Sequence, residues 1–253
     1  MTAGGAAAGD RRLRVLVDGP APASWNMALD EALLELGTTP VLRLYAWAPH
    51  AVSLGWFQAA ADFADLPPGT PVVRRLTGGG AIHHGDELTF ALVCDAACLP
   101  TEIASGYRLL HDAAVAVLQA VGVPCRRLEH GAAPAARPGE RWCFAEPGRD
   151  DVVTARGKLL GSAQRRVRRP RARVLHHGSL VLRRPSLTPF VAAVADHTDP
   201  DRAAPTLRSG LVRAIAAALD LVSTPDLPTA AERALAARLQ QQRYADSGFT
   251  ARR

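Results

Sequence analysis

The spacing of apolar residues predicts helices and strands that alternate along the chain. From residue 101 to 121 the apolar positions recur at helical spacing, and Gly122 follows as a stop signal. A second helix is predicted from Trp25 to Leu36, with Ser24 as its N-cap and Gly37 after its last turn. Residues 187–253 are predicted to be mostly helical, with breaks at Pro189, Pro205, Pro225 and Pro228.

Shorter apolar or alternating runs predict the strands. Two of the connections, at Arg156-Gly157 and at Arg165–Arg173, are typical of hairpins. The predicted strands cover residues 13–18, 41–47, 51–54, 71–75, 88–94, 123–128, 151–155, 158–166 and 174–182. Because there is no internal repeat and no clear linker, we expect one α+β domain on a mixed, largely antiparallel sheet flanked by helices. It spans 13–253 after a flexible 1–12, and residues 129–141 are predicted to form a mobile loop.

Composition excludes several classes of protein. With 253 residues, 48% hydrophobic and 21% charged, the chain can bury a full core and does not resemble a disordered protein. Its apolar runs fall short of the roughly 20 residues that a membrane helix needs, and the N-terminus lacks a secretory pattern. Four cysteines without a CxxC pair predict neither a disulfide framework nor a zinc knuckle. We therefore expect a soluble protein of the reducing cytoplasm.

The basic residues are unevenly divided between arginine and lysine. The net charge of +6 favours an acidic partner. Lys158 is the only lysine among 30 basic residues. Arginine can replace a lysine's charge but not its compact, titratable amine, so Lys158 is a candidate functional residue, with chance survival as the alternative.

The segment Arg74–His84, with sequence RRLTGGGAIHH, is a candidate ligand loop. Its glycines allow the backbone to approach a ligand closely, and Arg74 and Arg75 could neutralise a phosphate or bind a carrier. The segment lacks the Walker A ending and the GxGxxG spacing, so a plain glycine-rich turn remains the alternative.

Two histidine pairs, His83-His84 and His176-His177, do not predict a metal site. Neighbouring residues of a strand point to opposite faces, so each pair can offer only one ring to a common site. A zinc site would need a third ligand at a suitable spacing, and the sequence shows none.

Cys143 is a candidate nucleophile, although a cysteine is more often a buried apolar filler. Lys158 follows fifteen residues later, and hairpin geometry could bring the two side chains together. A nearby ammonium raises the thiolate fraction of a thiol at neutral pH, which would favour nucleophilic catalysis.

The run Arg165–Arg173 contains six arginines in nine residues. Nucleic-acid binding is one interpretation, but no aromatic residue interleaves with the arginines to stack on bases. We favour a solvated hairpin tip that attracts acidic proteins.

Several segments together resemble the lipoate/octanoate transferase and ligase family, whose catalytic domain is related to biotin protein ligases. The matching segments, in the family's order, are NMALDE (26–31), RRLTGGGAIHH (74–84), GKLLGSAQR (157–165) and HGSL (177–180). Two further segments, DELT (86–89) and WCFAEP (142–147), are similar to the M-type octanoyltransferases. The resemblance covers roughly residues 13–185.

The resemblance implies an acyl transfer through a cysteine thioester. Cys143, beside Lys158, would take octanoate from octanoyl-acyl carrier protein. A lysine of a lipoyl domain or glycine cleavage H protein would then accept it, without ATP, metal or other cofactor. His84 and His177 would be candidates to move the proton. The implied substrate-binding residues are Arg75, Gly78, Gly79, Gly80, Ala81, His84, Gly161, Gln164 and His177.

Three alternatives stay open. Two lie in the same family, an ATP-dependent lipoate ligase and an amidotransferase between carrier proteins. The third is a non-catalytic carrier-binding or nucleic-acid-binding protein that uses Arg165–Arg173.

Overall fold

Eleven strands and five α-helices are present in the computed structural model, which describes residues 11–129 and 141–252. The strands are β1 Arg12–Ala21, β2 Val41–Trp47, β3 Ala51–Leu54, β4 Val72–Arg74, β5 Ile82–His84, β6 Glu87–Asp95, β7 Arg126–Arg127, β8 Val152–Thr154, β9 Gly157–Val167, β10 Arg173–Val181 and β11 Val222–Pro225. The helices are α1 Ala23–Leu36, α2 Ile103–Ala120, α3 Pro200–Ala218, α4 Ala230–Leu239 and α5 Ser247–Ala251.

Eight strands form the main sheet, in the order β11-β1-β2-β6-β10-β9-β8-β7. Strand β1 runs parallel to both β11 and β2, and the remaining pairs are antiparallel. The predicted mixed, largely antiparallel sheet flanked by helices is therefore confirmed. A second sheet, β4-β3-β5, carries the glycine-rich segment between β4 and β5.

Helices cover both faces of the main sheet, and β2 shows why. Leu42 and Leu44 point into a core that includes residues of α2 and α3, whereas Val41 and Tyr45 point into a core with α1 and α4. Side chains alternate across a strand, so a strand buried on both faces has an almost continuous apolar sequence. The exception is Arg43, which ion-pairs with Asp30 of α1 at 2.8 Å.

Three local predictions differ from the structure. Helix α1 begins at Ala23 with Pro22 as N-cap, two residues earlier than predicted, and the Ser24 hydroxyl accepts a hydrogen bond from Gln240 rather than capping the helix. The predicted break at Pro205 is wrong: α3 continues through it, since proline removes a single backbone donor and the helix buries Leu207 beyond it. The strand predicted at 123–128 shortens to Arg126–Arg127.

The C-terminal part adds a strand that the sequence did not predict. Strand β11 pairs with β1 at the edge of the main sheet, and its residues are largely exposed. No helix among the described residues is long and apolar enough to cross a membrane. The predicted flexible N-terminus and mobile loop lie mostly outside the described residues.

Candidate active site

Cys143 is fixed by its backbone to the glycine-rich segment. Its N–H donates to the carbonyl of Ala81 at 2.8 Å, and the N–H of Ala81 donates to the carbonyl of Arg141 at 2.9 Å. A Cβ on Gly80 would lie 2.8 Å from the nitrogen of Cys143, so a glycine is required for this close approach. The nucleophile candidate and the glycine-rich segment therefore form one unit.

The structure brings Lys158 to Cys143. The Lys158 Nζ atom lies 3.4 Å from Sγ of Cys143 and 3.1 Å from its carbonyl oxygen. Its third partner is Asp151, whose Oδ2 atom lies 2.8 Å away and also accepts a hydrogen bond from the N–H of Gly148. All three donors of the ammonium therefore have partners, which holds it against the thiol.

A β-bulge and a glycine make room for this lysine. Strands β8 and β9 shift register between Val152 and Val153. A Cβ on Gly161 would lie 2.3 Å from Cε of Lys158 and 3.4 Å from Oδ1 of Asp151. Bulges re-aim side chains, and here the missing side chain at position 161 leaves the space that the lysine stem occupies.

The charge of Lys158 is secured by its neighbours. Burial lowers the pKa of Lys158, but the negative charges of Cys143 and Asp151 outweigh burial, so the pKa stays raised above its ordinary value. A buried ammonium needs such compensation. Lys158 is therefore protonated at neutral pH and can stabilise negative charge on sulfur or on a nearby carbonyl oxygen.

A narrow cavity of about 40 Å³ extends from Cys143 over the sheet. It crosses strands β2, β6, β10 and β9, and its lining is mostly apolar surface with a few polar groups. The lining residues are Met27, Tyr45, Trp47, Ser53, Arg75, Gly78, Gly79, Ile82, His84, Thr89, Cys143, Gly161, Ser162, Ala163, His177, Gly178 and Ser179. Such a lining suits an extended apolar group with a polar end at the thiol.

Two buried histidines of this lining each lie between a hydroxyl and a carboxylate. His84 places Nε2 at 2.7 Å from the Ser53 hydroxyl and Nδ1 at 2.8 Å from Glu87. His177 places Nε2 at 2.7 Å from the Thr77 hydroxyl and Nδ1 at 3.5 Å from Asp30. Strand alternation thus sends one histidine of each sequence pair to the cavity.

Arg75 determines which way these hydrogen bonds run. Its guanidinium donates to the hydroxyls of Ser53 and Thr77 at 3.3 and 3.2 Å. Each hydroxyl then donates its own proton to the histidine Nε2, so the hydrogen-bond network assigns both rings an Nδ1–H that faces a carboxylate. Burial lowers the pKa of His177 although Asp30 opposes it, which keeps that ring neutral.

Most of the residues that the sequence singled out meet at this cavity. Arg75, Gly78, Gly79, His84, Gly161 and His177 line it together with Cys143. Gly80 and Ala81 lie behind the lining, where they contact the backbone of residues 141–143. Gln164 does not line the cavity, and its amide lies 3.2 Å from Nδ1 of His176.

Arg74 has a different place from the one predicted. It is fully buried and donates to the carbonyl oxygens of Gly55, Gln58 and Thr250, so it ties α5 to the small sheet. A guanidinium held in this way cannot neutralise a phosphate or bind a carrier. Among the described residues no group of three potential metal ligands occurs.

Sequence reasoning missed the acidic residues and hydroxyls of the site. Asp30 lies inside the segment NMALDE (26–31), but its place in the site depends on a long-range contact with His177. Asp151 and Ser53 lie in strand-like segments with no local signal. A carboxylate close in sequence to Lys158 is a natural candidate partner for the ammonium, but its spacing from the lysine does not single out Asp151.

The fold and this site define a class of protein. The solved structure of protein Ta0514 from T. acidophilum, described as a putative lipoate protein ligase, is similar over 96% of this chain and 100% of its own, with a TM-score of 0.78 and 25% identity. A bipartite lipoate protein ligase from Thermoplasma acidophilum, described with its E2 lipoyl domain, is similar over 95% of this chain and 96% of its own, with a TM-score of 0.70 and 23% identity. The architecture is that of the lipoate protein ligases.

The family is shown by sequence. The family described as lipoyl protein ligase A/B catalytic domain matches residues 22–236, and the chain belongs to this family. Octanoyltransferase LipM of Kyrpidia tusciae is 34% identical over 236 residues, which cover 88% of this chain and 84% of the relative. Octanoyltransferase LipM of an Exiguobacterium species is 38% identical over 171 residues, 62% of this chain and 61% of the relative.

Proposed function

We propose that this chain is an acyltransferase that moves an octanoyl group from octanoyl-acyl carrier protein to a lysine of a lipoyl-carrying protein. The observation that carries the proposal is the contact between Lys158 and Cys143, at the end of a mostly apolar cavity. The two relatives named octanoyltransferase support the same chemistry. The proposal includes a cytoplasmic location, which four free cysteines support.

The first half of the reaction loads the cysteine. The Cys143 thiolate attacks the carbonyl carbon of the octanoyl thioester, and a new carbon–sulfur bond forms. The negative charge that develops on the carbonyl oxygen is stabilised by the Lys158 ammonium. The bond to the carrier's sulfur then breaks, and the carrier leaves as its thiol after gaining one proton. Octanoyl-Cys143 remains.

The second half unloads the cysteine. The amine of the acceptor lysine attacks the octanoyl-Cys143 carbonyl, a carbon–nitrogen bond forms, and the carbon–sulfur bond breaks. The amine proton leaves, and the Cys143 thiolate is restored. A thioester is exchanged for a more stable amide, so neither half needs ATP. His84 and His177, both lining the cavity, are the candidates to take the proton.

Apolar contacts along the cavity would hold the chain. Each buried methylene contributes about 0.8 kcal/mol, so an eight-carbon chain gains several kcal/mol when it is buried. The acceptor is proposed to be a lipoyl domain or glycine cleavage H protein, in keeping with the lipoyl domain named for the structural relative from Thermoplasma.

Intact-mass measurement tests the proposal. The wild type and the variants Cys143→Ala and Cys98→Ala would be incubated with octanoyl-acyl carrier protein without ATP. We expect one octanoyl group on the wild type and on Cys98→Ala, and none on Cys143→Ala. Addition of a lipoyl domain or H protein should then remove the group from the enzyme.

Other outcomes would point to the alternatives. ATP–pyrophosphate exchange with free lipoate, and activity that survives Cys143→Ala, would establish the ligase. Acylation of the enzyme by a lipoyl domain or H protein that carries a lipoyl or octanoyl group, and not by octanoyl-acyl carrier protein, would establish the amidotransferase. An adduct on all three proteins would mean that another residue is the nucleophile.

A further inference from the structure

A chain of hydrogen bonds runs from β9 and β10 through α2 to the loop before β8. The Gln164 amide nitrogen lies 3.2 Å from Nδ1 of His176, and Nε2 of His176 lies 2.8 Å from the Ser162 hydroxyl. The same hydroxyl lies 2.7 Å from Nε2 of His111, a fully buried residue of α2. Nδ1 of His111 lies 2.5 Å from the carbonyl oxygen of Asp150, where the chain ends.

The hydrogen bonds of this chain all run in one direction. The side-chain oxygen of Gln164 accepts a hydrogen bond from Arg166 at 2.8 Å, so the amide nitrogen faces His176 and donates to it. His176 therefore carries its proton on Nε2 and donates to the Ser162 hydroxyl. At the far end a backbone carbonyl can only accept, so His111 donates from Nδ1, and its Nε2 accepts the hydroxyl proton.

Both histidines have to be neutral for this direction, and burial keeps them so. Burial lowers the pKa of His176 well below its ordinary value. Burial also lowers the pKa of His111, although the hydrogen bond to Asp150 opposes it. A charged His111 would donate from both nitrogens, and the Ser162 proton would then have no acceptor in the chain.

The chain ends at a residue whose backbone is strained. Asp150 has a φ of 72°, in the left-handed region that few residues other than glycine adopt. Its N–H donates to the carbonyl of Leu128 at 2.9 Å, and its carboxylate lies 2.8 Å from the Arg127 guanidinium. Such a conformation persists where the surrounding groups hold it, and His111 holds the carbonyl.

The next residue is Asp151, the partner of Lys158. The peptide between Asp150 and Asp151 is held at both ends, its carbonyl by His111 and its N–H by the carbonyl of Gly148 at 3.2 Å. Rotation of this peptide would carry the Asp151 carboxylate away from the ammonium, which now lies 2.8 Å from it. The direction in which Asp151 points therefore depends on His111.

The other contact of His111 lies beside the same lysine. Ser162 follows Gly161, whose missing side chain leaves the space for the Lys158 stem, and neighbouring residues of a strand point to opposite faces. The hydrogen bond to Ser162 therefore ties α2 to β9 behind that space. A single imidazole thus joins the two backbone segments that frame the lysine, residues 150–151 and 161–162.

We propose that His111 is a positioning residue that acts on Lys158 through Asp151. The rest of the chain fixes the tautomer that this role requires, with the ring proton on Nδ1. The inference rests on the proposed function, in which Lys158 assists Cys143. It also gives Gln164, which does not line the cavity, a part in the reaction without contact to the substrate.

Two substitutions of His111 test this role. His111→Phe keeps a ring of similar size and removes both nitrogens, whereas His111→Gln offers one donor and one acceptor in their place. The matched control is Leu118→Ala, which opens a cavity at a fully buried position two turns further along α2. For each protein we would measure kcat and KM for octanoyl transfer, the rate of Cys143 alkylation by iodoacetamide, and the melting temperature by circular dichroism.

His111→Phe should lower kcat and the alkylation rate about fivefold and leave KM within about twofold of the wild type. His111→Gln should restore most of both rates. Leu118→Ala should lower the melting temperature and leave both rates within about twofold. Because His111 acts through Asp151, the double variant His111→Phe/Asp151→Asn should be no slower than Asp151→Asn alone.

Gln164→Met keeps the test open if His111→Phe does not fold. Gln164 is only half-buried, so the variant should fold, but the tautomer of His176 is no longer fixed. We expect kcat to fall about threefold with KM unchanged. A substrate-binding role for Gln164 would instead raise KM.

Each other outcome overturns the inference. Unchanged alkylation in His111→Phe would mean that the ring does not act on Lys158. Equal loss of activity in Leu118→Ala would show a merely structural effect, and additive losses in the double variant would show that Asp151 is not the link. If the wild type transfers no octanoyl group, the proposed function itself is rejected. The alkylation rates, which need no acyl donor, would still show whether His111 positions Lys158.

Discussion

Asp151 and Lys158 form a buried ion pair, with 2.8 Å between the carboxylate oxygen and the ammonium nitrogen, directly behind the thiol of Cys143. The carboxylate touches the lysine, not the sulfur. Asp151 therefore holds the ammonium beside the thiol and helps to raise the pKa of Lys158.

Lys158→Met should make Cys143 less reactive. Without the ammonium, 3.4 Å from Sγ, negative charge that develops on the sulfur during attack is no longer stabilised, and we expect alkylation by iodoacetamide at pH 7 to slow about tenfold. Peptide mass mapping would measure each cysteine. Cys98 serves as an internal control, since its hydrogen bond with Cys94 lowers its pKa to about 7 and should make it reactive in both proteins. An unchanged rate at Cys143 would refute the role of Lys158.

Asp151→Asn should slow the chemical step. The pKa of Lys158, which Asp151 helps to raise, should fall in the variant, so the basic limb of the pH–rate profile should move to lower pH. We expect kcat to fall about tenfold and KM to stay within about twofold, because Asp151 contacts Lys158 and does not line the cavity. Asp151→Glu should restore part of the rate. A changed KM with an unshifted pH profile would argue for a merely structural role.

Gly161→Ala should displace the lysine. The added methyl group would lie 2.3 Å from Cε of Lys158, so the side chain would have to leave its position beside the thiol. We expect the acylation rate to fall at least as far as in Asp151→Asn, with a folded protein by circular dichroism. Gly19→Ala is the matched control, since a Cβ there meets nothing within 4 Å. Equal activity of the two variants would show that Lys158 can be accommodated otherwise.

Stability should fall as the pH drops from about 6.5 to 4, partly because of His83. Burial lowers the pKa of His83 to about 4, and the ring accepts a hydrogen bond from the N–H of Leu187. In this pH range the unfolded chain binds a proton at this residue that the folded protein does not, so the free energy of unfolding decreases toward acid pH, by at most about 1.4 kcal/mol per pH unit from this residue. His83→Gln should give a shallower pH dependence in urea titrations. A slope that is the same in both proteins would exclude His83 as a contributor.

Asn26→Ala should lower the free energy of unfolding. The Asn26 side chain accepts a hydrogen bond from buried Arg43 at 2.9 Å and donates to the carbonyl of Ala46 at 3.0 Å. Its removal leaves a buried cation and a carbonyl short of partners, and we expect a loss of about 2 kcal/mol in the free energy of unfolding. Gln119→Ala, which removes an exposed amide with one bond to the Cys125 carbonyl, should cost clearly less. Urea unfolding at constant pH would compare the two.

The sequence by itself determined much of the secondary structure, and it singled out Cys143 and Lys158, which the structure brings into contact. Strands β2 and β3 have the predicted bounds, and the hairpin of β9 and β10 lies at the predicted place, because alternation and turn residues act over a few neighbouring positions. The scarcity of lysine directed attention to Lys158, and the contact with Cys143 agrees with that inference.

Only the tertiary structure decided which polar residues surround Lys158 and His177. Asp151 reaches Lys158 through a bulge, and Asp30 and Thr77 reach His177 from elements far apart in sequence. The same holds for edge strand β11 and for Arg74, which looked like a ligand-binding residue and instead binds backbone carbonyls. Periodicity reports which face of an element is buried. It carries no information on which distant polar group a buried side chain will meet, because that partner is chosen when the elements pack together.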